Sequence, residues 1–502
     1  MGSRSGQVAV RFGVVIMMNI QNYIGGKFIS AVDGETLFDY NPATEQHIAT
    51  IPRSKKEDVQ LAVTAAQSAQ QDWGALSIDE RAVWLDKIAD ALEMKSEEIA
   101  NLETSDTGKP IALSRKVDAA RSVSNFRFFA DFSRNQTEMR FVMADAVNYV
   151  HRSPVGTVGL ITPWNLPLYL LSWKVAPALL MGNTIVAKPS EFTPLTANIL
   201  AETLDELEFP PGVFNLVHGL GHEVGQSILE NEHIKGISFT GGTATGRTVA
   251  QTAAPMFKKL SLELGGKNAT LVLKDANLDL AVEGAVRAAF TNSGQVCLCG
   301  SRILIDATIA DAFREKFVEK VNQIRVGDPR DESTTMGSVI SPQHLEKVES
   351  YIDLALEEGG TILTGGTRKL TGFSGPNQKG AFLLPTVISG LPHTSRCATE
   401  EIFGPVVTLH TFENELQAVE MANHSEYGLA VSVWTQDLAR GRMVASQIET
   451  GIVWVNTWLH RDLRTPFGGV KNSGVGREGG RWSLEFFSEL TNICVKDAKD
   501  ES

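Results

Sequence analysis

Thr157-Val158-Gly159-Leu160-Ile161-Thr162 is a short aliphatic run with a glycine inside it, followed at once by Pro163-Trp164-Asn165-Leu166-Pro167. An apolar run of this length, with no polar residue on alternate positions, reads as a strand buried on both faces. Residues 184–188, 213–218 and 236–240 repeat the pattern at helix-long intervals, and the segments between them carry helical spacing. Strand and helix in alternation imply a doubly wound, mainly parallel sheet that binds ligands beyond the carboxyl ends of its strands. The turn Thr240-Gly241-Gly242-Thr243-Ala244-Thr245-Gly246 falls at such an end, ahead of a helix expected to begin near Arg247. It lacks the full G-x-G-x-x-G and is weak by itself.

After Gly266 the alternation restarts, with helices expected over residues 278–289 and 309–323 and further strands through Trp434, so a second α/β domain is predicted. On the N-terminal side, residues 22–28 read as a hairpin, residues 41–44 as a turn, and residues 56–75 and 78–103 as helix ending near Thr107-Gly108-Lys109-Pro110. In the helix that follows, Arg121, Asn125 and Phe128 lie at i, i+4 and i+7 and share one face. Alone, that pattern describes a surface helix with a solvated arginine. Residues 373–380 form a Gly- and Asn-containing surface loop, and residues 147–158 and 486–495 are strand-like, the latter hydrophobic enough to need a partner.

At 502 residues the chain is too long for one simple core and implies two or three domains. With 46 basic and 59 acidic residues, a formal charge of −13 and no dense basic stripe, it is not built for nucleic acid. Four cysteines, two of them one residue apart, make neither a disulfide framework nor a zinc site, and no metal is expected; a reducing, cytoplasmic setting is. Residues 1–18 carry arginines and no acids: an N-terminal extension that reads either as a weak mitochondrial presequence or as extra sequence ahead of a start at Met17 or Met18. No stretch reaches the roughly 20 apolar residues of a membrane helix.

Three stretches carry chemistry. Asn292-Ser293-Gly294-Gln295-Val296-Cys297-Leu298-Cys299-Gly300-Ser301-Arg302 sets a thiol among small residues after an amphipathic run. Leu260-Ser261-Leu262-Glu263-Leu264-Gly265-Gly266-Lys267-Asn268 puts one carboxylate in an apolar strand. Asn165 stands between two prolines that stiffen its backbone. Singly, each has a plain reading: a small buried hydrophobe, an edge-strand acid, a loop amide. Together they are the parts needed to form a thioester and hydrolyse it.

These stretches, with Glu400-Glu401-Ile402-Phe403-Gly404-Pro405 and Pro466-Phe467-Gly468-Gly469, resemble the NAD(P)-dependent aldehyde dehydrogenase superfamily, in the same order and over residues 23–495. Within it, Trp164-Asn165-Leu166-Pro167-Leu168, Cys297-Leu298-Cys299 and Trp458-Leu459-His460-Arg461-Asp462-Leu463-Arg464 resemble the 2-aminomuconic and 2-hydroxymuconic semialdehyde dehydrogenases. The resemblance implies that Cys297 is the nucleophile and Glu263 the base for the hydrolytic water. Asn165 and the Cys297 N–H would hold the oxyanion, and Lys174 and Glu478 would relay protons. For the cofactor it implies Lys188, Ser190 and Glu191 at the adenosine ribose, where a carboxylate repels a 2′-phosphate and so favours NAD. Gly241, Gly242 and Gly246 would lie at the pyrophosphate, Glu401 and Phe403 at the nicotinamide end, with Ile161, Thr162, Pro163, Trp164, Gly221, Thr240 and Leu264 completing the lining. For the substrate it implies a carboxylated semialdehyde held by Arg121 and Arg461 and walled by Phe128, Trp173 and Leu298. The plain alternative for Arg461 is an ion pair with Asp462 or exposure to solvent.

The expected division is an extension over residues 1–18, an NAD-binding domain over 19–135 and 155–265, a catalytic domain over 266–475, and a small β extension for oligomerisation over 136–154 and 480–502. A homo-oligomer, dimer or tetramer, is implied. Three rival readings remain at this point: a broad-specificity retinal- or betaine-aldehyde-like enzyme, a CoA-acylating dehydrogenase, and a non-enzymatic recruit of the fold. The carboxylate at Glu263 speaks against acylation, since an acylating enzyme must suppress hydrolysis.

Overall fold

The computed structural model describes residues 17–135, 139–369, 371–373 and 375–496. Most of the expected N-terminal extension, and residues 136–138 and 497–502 of the expected β extension, lie outside the described residues. The quoted run forms the strand Thr157–Ile161 at the centre of an eight-stranded sheet. Across that sheet lie, in order, Gly474–Val475, Lys259–Glu263, Ile234–Thr240, Thr157–Ile161, Thr184–Lys188, Phe214–Leu216, Asn22–Ile24 and Lys27–Ile29. The five central strands are parallel, and antiparallel strands close both edges.

Alternation of side chains explains why the run has no polar face. Val158 and Leu160 enter one core cluster with the helix Pro167–Leu180, while Ile161 and Val186 enter another with Val59 and Ala62 of the helix Lys56–Ala75. Each such aliphatic side chain, fully buried, contributes about 1.5 to 3 kcal/mol. Gly159 is required by packing, because a Cβ there would sit 2.6 Å from the Ile228 side chain.

A second, seven-stranded sheet runs Thr361–Thr364, Thr386–Ser389, Val406–Phe412, Arg302–Asp306, Ala269–Val272, Ala430–Trp434, Ile452–Val455, parallel except at its first strand. A third sheet pairs Ser488–Lys496 with Ala146–Pro154 and Arg140–Val142. The α/β class, the two parallel sheets and the small β extension are as expected from the sequence. Among the described residues, no helix is long and apolar enough to cross a membrane.

Four local readings are corrected. The helix after Thr240 begins at Thr243, not near Arg247, because Gly242 already adopts the extended backbone of a capping residue. The helical stretch over residues 78–103 is two helices, Ile78–Met94 and Ser96–Thr107, broken at Lys95. The C-terminal strand begins at Ser488, since residues up to Phe486 belong to the helix Gly480–Phe486 that packs Leu484 into the first core cluster. Gly474–Val475, placed by sequence in the second domain, returns to the first sheet, where it gives the edge strand Lys259–Glu263 its missing hydrogen bonds.

Candidate active site

Strand order places the chemistry. From Thr157–Ile161 the chain winds outward one way through Thr184–Lys188 and Phe214–Leu216, then returns to add Ile234–Thr240 and Lys259–Glu263 on the other side. In open α/β sheets, ligands bind at the carboxyl ends of the strands where the direction reverses. Ile161, Lys188, Thr240 and Glu263 all end their strands on that side.

Asn165 follows the first of these ends and is fixed from three directions. Its carbonyl accepts from Lys109 Nζ at 3.2 Å and from Asn292 Nδ2 at 3.1 Å, and its amide Nδ2 donates to the Gln295 carbonyl at 3.0 Å. Pro167 then occupies the first turn of the buried helix Pro167–Leu180, where a missing N–H costs nothing. One N–H of the Asn165 amide is left for a ligand.

Cys297 sits on a loop built from strained backbone. Asn292, Ser293 and Gly294 adopt left-handed φ of 54°, 54° and 71°, and a side chain at Gly294 would run into the Gly404 carbonyl. Non-glycine residues in that region cost about 1 to 3 kcal/mol and persist only where their surroundings hold them. Asn292 and Ser293 are held by their own side chains, which donate to the Asn165 and Gly337 carbonyls, each at 3.1 Å. Asn268 fixes the loop further on: its Nδ2 donates to the carbonyls of Cys297 at 2.7 Å and Cys299 at 3.0 Å, and its Oδ1 accepts from Ala430 N. The Cys297 N–H has no protein acceptor among the described residues. Burial raises the Cys297 thiol well above the usual range, Glu263 and Glu401 raise it further, and Arg461 opposes them. Cys299 is buried in the cluster with Leu298 and Trp458, and burial pushes its thiol up to about 12. Leu298 is buried there too, its carbonyl accepting from Trp458 Nε1 at 2.9 Å.

Glu263 is buried, and neither carboxyl oxygen has a protein partner. Burial and the neighbouring Glu478 hold it well above the usual carboxylate range, against Lys174, Arg461 and Arg477. A side chain at Gly468 would lie 2.7 Å from its Oε1, so the backbone passes close by. Behind it, Lys174 Nζ donates to Glu478 Oε1 at 2.6 Å and to Ser238 Oγ at 2.8 Å, which pins the buried cation to one acid.

At another of the strand ends, Lys188 Nζ donates to Glu191 Oε2 at 2.7 Å. Despite its burial, the Glu191 carboxyl stays below its usual value because of Lys188. Ser190 Oγ is engaged by the Phe192 N–H of the same turn. Nothing lies within 4 Å of where side chains at Gly221 and Gly242 would point, and both stand where a helical segment begins. Gly246 lies inside its helix, where a Cβ would press to 2.5 Å on Leu264. Thr162 is buried, its N–H paired to the Lys188 carbonyl, and Thr240 Oγ1 is buried without a partner. Glu401 Oε1 accepts from Gly266 N at 2.8 Å, and a side chain at Gly265 would collide with that carboxyl. Phe403, at φ 60°, stands edge-on to Trp164 with centroids 5.3 Å apart. The neutral His344 ring, held low at about 4 by burial, meets its carbonyl at 2.7 Å.

The arginines converge. Arg461 lies 4.7 Å over the Trp173 ring and 4.0 Å over the Phe467 ring, and its Nη1 donates to the Tyr169 hydroxyl at 2.6 Å. The ion-pair alternative fails, because Asp462 is taken by Arg464 through Nε at 3.0 Å and Nη2 at 2.5 Å. Arg121 lies 5.4 Å over the Tyr169 ring. Burial lowers its affinity for a proton, and Arg461 lowers it further. Arg121 Nε and Nη2, Arg461 Nη2 and Trp173 Nε1 are all buried donors with no acceptor. Phe128 stacks at 6.4 Å on Trp173.

Sequence reasoning missed Tyr169, Lys109, Gln295 and the roles of Asn268 and Phe467. Asn268 stood in a quoted stretch, but nothing in its spacing shows that its amide reaches residues 297 and 299.

Two mainly parallel α/β sheets, with a buried thiol, carboxylate and amide near the switch point, fit a class of oxidoreductase. The sequence profile described as the aldehyde dehydrogenase family matches residues 28–493, and this chain belongs to that family. It is 45% identical over 487 residues to the 2-aminomuconic semialdehyde dehydrogenase of Homo sapiens, covering 96% of this chain and 99% of that one. It is 44% identical over 492 residues to the 2-hydroxymuconic semialdehyde dehydrogenase of Pseudomonas sp. (strain CF600), covering 96% and 100%. Among solved structures, the NAD+ complex of an aldehyde dehydrogenase from Bacillus cereus superposes with a TM-score of 0.92 at 38% identity, covering 95% of this chain and 97% of that one.

Proposed function

We propose that the protein oxidises a semialdehyde carrying a distal carboxylate to the corresponding acid, with NAD as hydride acceptor, through a thioester on Cys297. The observation that carries the carboxylate is the pair Arg121 and Arg461, whose buried N–H groups lack acceptors. Leaving such donors unpaired costs roughly 1 to 3 kcal/mol each, more for charged groups, unless a ligand satisfies them. Two guanidinium forks match a carboxylate, and the relatives named for 2-aminomuconic and 2-hydroxymuconic semialdehydes act on molecules of that kind.

Residues at the strand ends suit NAD: Glu191, paired with Lys188, would meet the ribose hydroxyls, and Gly221 and Gly242 leave open space at two segment starts where a pyrophosphate would approach free N–H groups. When bound, NAD supplies the hydride acceptor. The rest is done by the chain. Cys297 adds to the aldehyde carbon, and its own N–H and the free Asn165 N–H stabilise the developing oxyanion. Glu263, whose carboxyl is held above the usual carboxylate range by burial and by Glu478, takes a proton from the water that releases the acid from Cys297. The Lys174–Glu478 pair lies behind it as the next proton acceptor.

The β extension leaves Phe141, Val142, Leu490 and Val495 more than half exposed, which supports pairing of subunits through that sheet. All four cysteines are free, which supports a cytoplasmic setting. The test is a steady-state screen of aldehydes with and without a distal carboxylate, with NAD and NADP in parallel and CoA added or omitted. Preference for carboxylated aldehydes with NAD, and acid as product whether or not CoA is present, is the expected result. Acyl-CoA formation, or preference for neutral aldehydes, would reject the proposal.

A further inference from the structure

The Tyr169 hydroxyl lies between the two arginines and is engaged by both. Its oxygen accepts from Arg461 Nη1 at 2.6 Å, and Arg121 lies 5.4 Å over its ring. No acceptor among the described residues takes its phenolic proton. Tyr169 is itself fixed, because its carbonyl accepts from Asn125 Nδ2 at 3.1 Å and from Ser172 Oγ at 2.9 Å. It stands in the first turn of the helix Pro167–Leu180, four residues after Asn165, which precedes that helix.

We infer that Tyr169 reads the substrate's distal carboxylate directly, its oxygen taking the Arg461 hydrogen bond and its proton going to the carboxylate that the unpaired N–H groups of Arg121 and Arg461 also face. The inference rests on the carboxylate reading above and adds a third donor to it. Two guanidinium groups this close repel each other, and a neutral acceptor beside both lowers that cost while the site is empty. Burial disfavours the Arg121 charge most, and Arg461 adds to that, while Tyr169 favours it. A phenol is suited to the place because it accepts and donates at once, where a third cation would add repulsion and a carboxylate would reject the substrate.

The test compares kcat/KM for adipic semialdehyde and hexanal, matched in length, in the wild type, Tyr169→Phe and Arg461→Ala. Phenylalanine keeps the ring under Arg121 and removes only the hydroxyl. The expected result is a fall in the acid-to-neutral ratio of about tenfold in Tyr169→Phe, appearing chiefly in KM, and a larger fall in Arg461→Ala. If the ratio falls in Arg461→Ala and holds in Tyr169→Phe, the Tyr169 inference is wrong and the carboxylate reading stands. Equal losses for both aldehydes in Tyr169→Phe would also overturn it, as a sign that the hydroxyl holds the helix. If Arg461→Ala leaves the ratio unchanged, the carboxylate reading itself fails and the Tyr169 inference falls with it.

Discussion

Replacing Glu263 by glutamine separates the two halves of the proposed reaction. Both Glu263 oxygens lack protein partners, so the amide breaks no hydrogen bond and keeps the volume of the site. What it removes is a group able to take a proton from water. General-base catalysis is worth about 10² to 10⁴ in rate, or roughly 3 to 5 kcal/mol of barrier, and the loss should fall on thioester hydrolysis alone. Acylation of Cys297 needs the thiol, the Asn165 amide and the Cys297 N–H, none of which the substitution touches. In stopped-flow mixing of Glu263→Gln with NAD and a carboxylated semialdehyde, NADH should appear as a burst approaching one per active site, followed by a steady state slowed about 10²- to 10⁴-fold. Near-normal turnover without a burst would refute the reasoning. Loss of the burst along with the steady state would place Glu263 in the first half of the reaction instead.

Cys297→Ala should abolish NADH formation while NAD binding, read by protein fluorescence, persists; Cys299→Ala, whose side chain packs in the core, should keep most of its activity, and reversed phenotypes would reassign the nucleophile. Arg121→Ala and Arg461→Ala should each lower kcat/KM for carboxylated semialdehydes by on the order of ten- to a hundredfold relative to neutral aldehydes of equal length, and an unchanged ratio would show that the arginines serve only the fold. Because the Glu263 carboxyl is raised, its ionisation opposes folding: that contribution is absent below the usual carboxylate range and destabilises as pH rises through the raised value. Thermal unfolding of Glu263→Gln should therefore exceed the wild type by a margin that grows with pH above the usual carboxylate range, and a pH-independent difference would mean that Glu263 ionises freely.

The sequence shows the parallel strands because their middle positions, residues 158–161 and 185–187, are apolar or glycine without alternation and are buried on both faces, polar residues coming only at the ends. Thiol, carboxylate and amide each had a plain reading alone and became candidates only in combination, through the family resemblance that the combination carries. The hidden part was contacts between distant positions. Tyr169 meets Arg461 across 292 residues, and Lys109 meets the Asn165 carbonyl across 56, so no spacing rule connects them. The choice between Arg461 and Arg464 as the partner of Asp462 was equally hidden. It depends on a tight turn in which the Arg464 N–H and side chain both return to Asp462, while Arg461 is drawn off by Trp173 and Phe467. The edge strand Gly474–Val475 could not be read because two residues carry no period.

The most direct test of a thioester on Cys297 is rapid-quench peptide mapping of the wild-type enzyme in the first turnover with NAD and a carboxylated semialdehyde. The peptide bearing Cys297 should carry an added mass equal to the aldehyde less two hydrogens, in step with NADH formation and lost as the acid appears. The intact aldehyde mass on Cys297 with no NADH, or the adduct on Cys299, or no adduct on either while acid accumulates, would contradict the account.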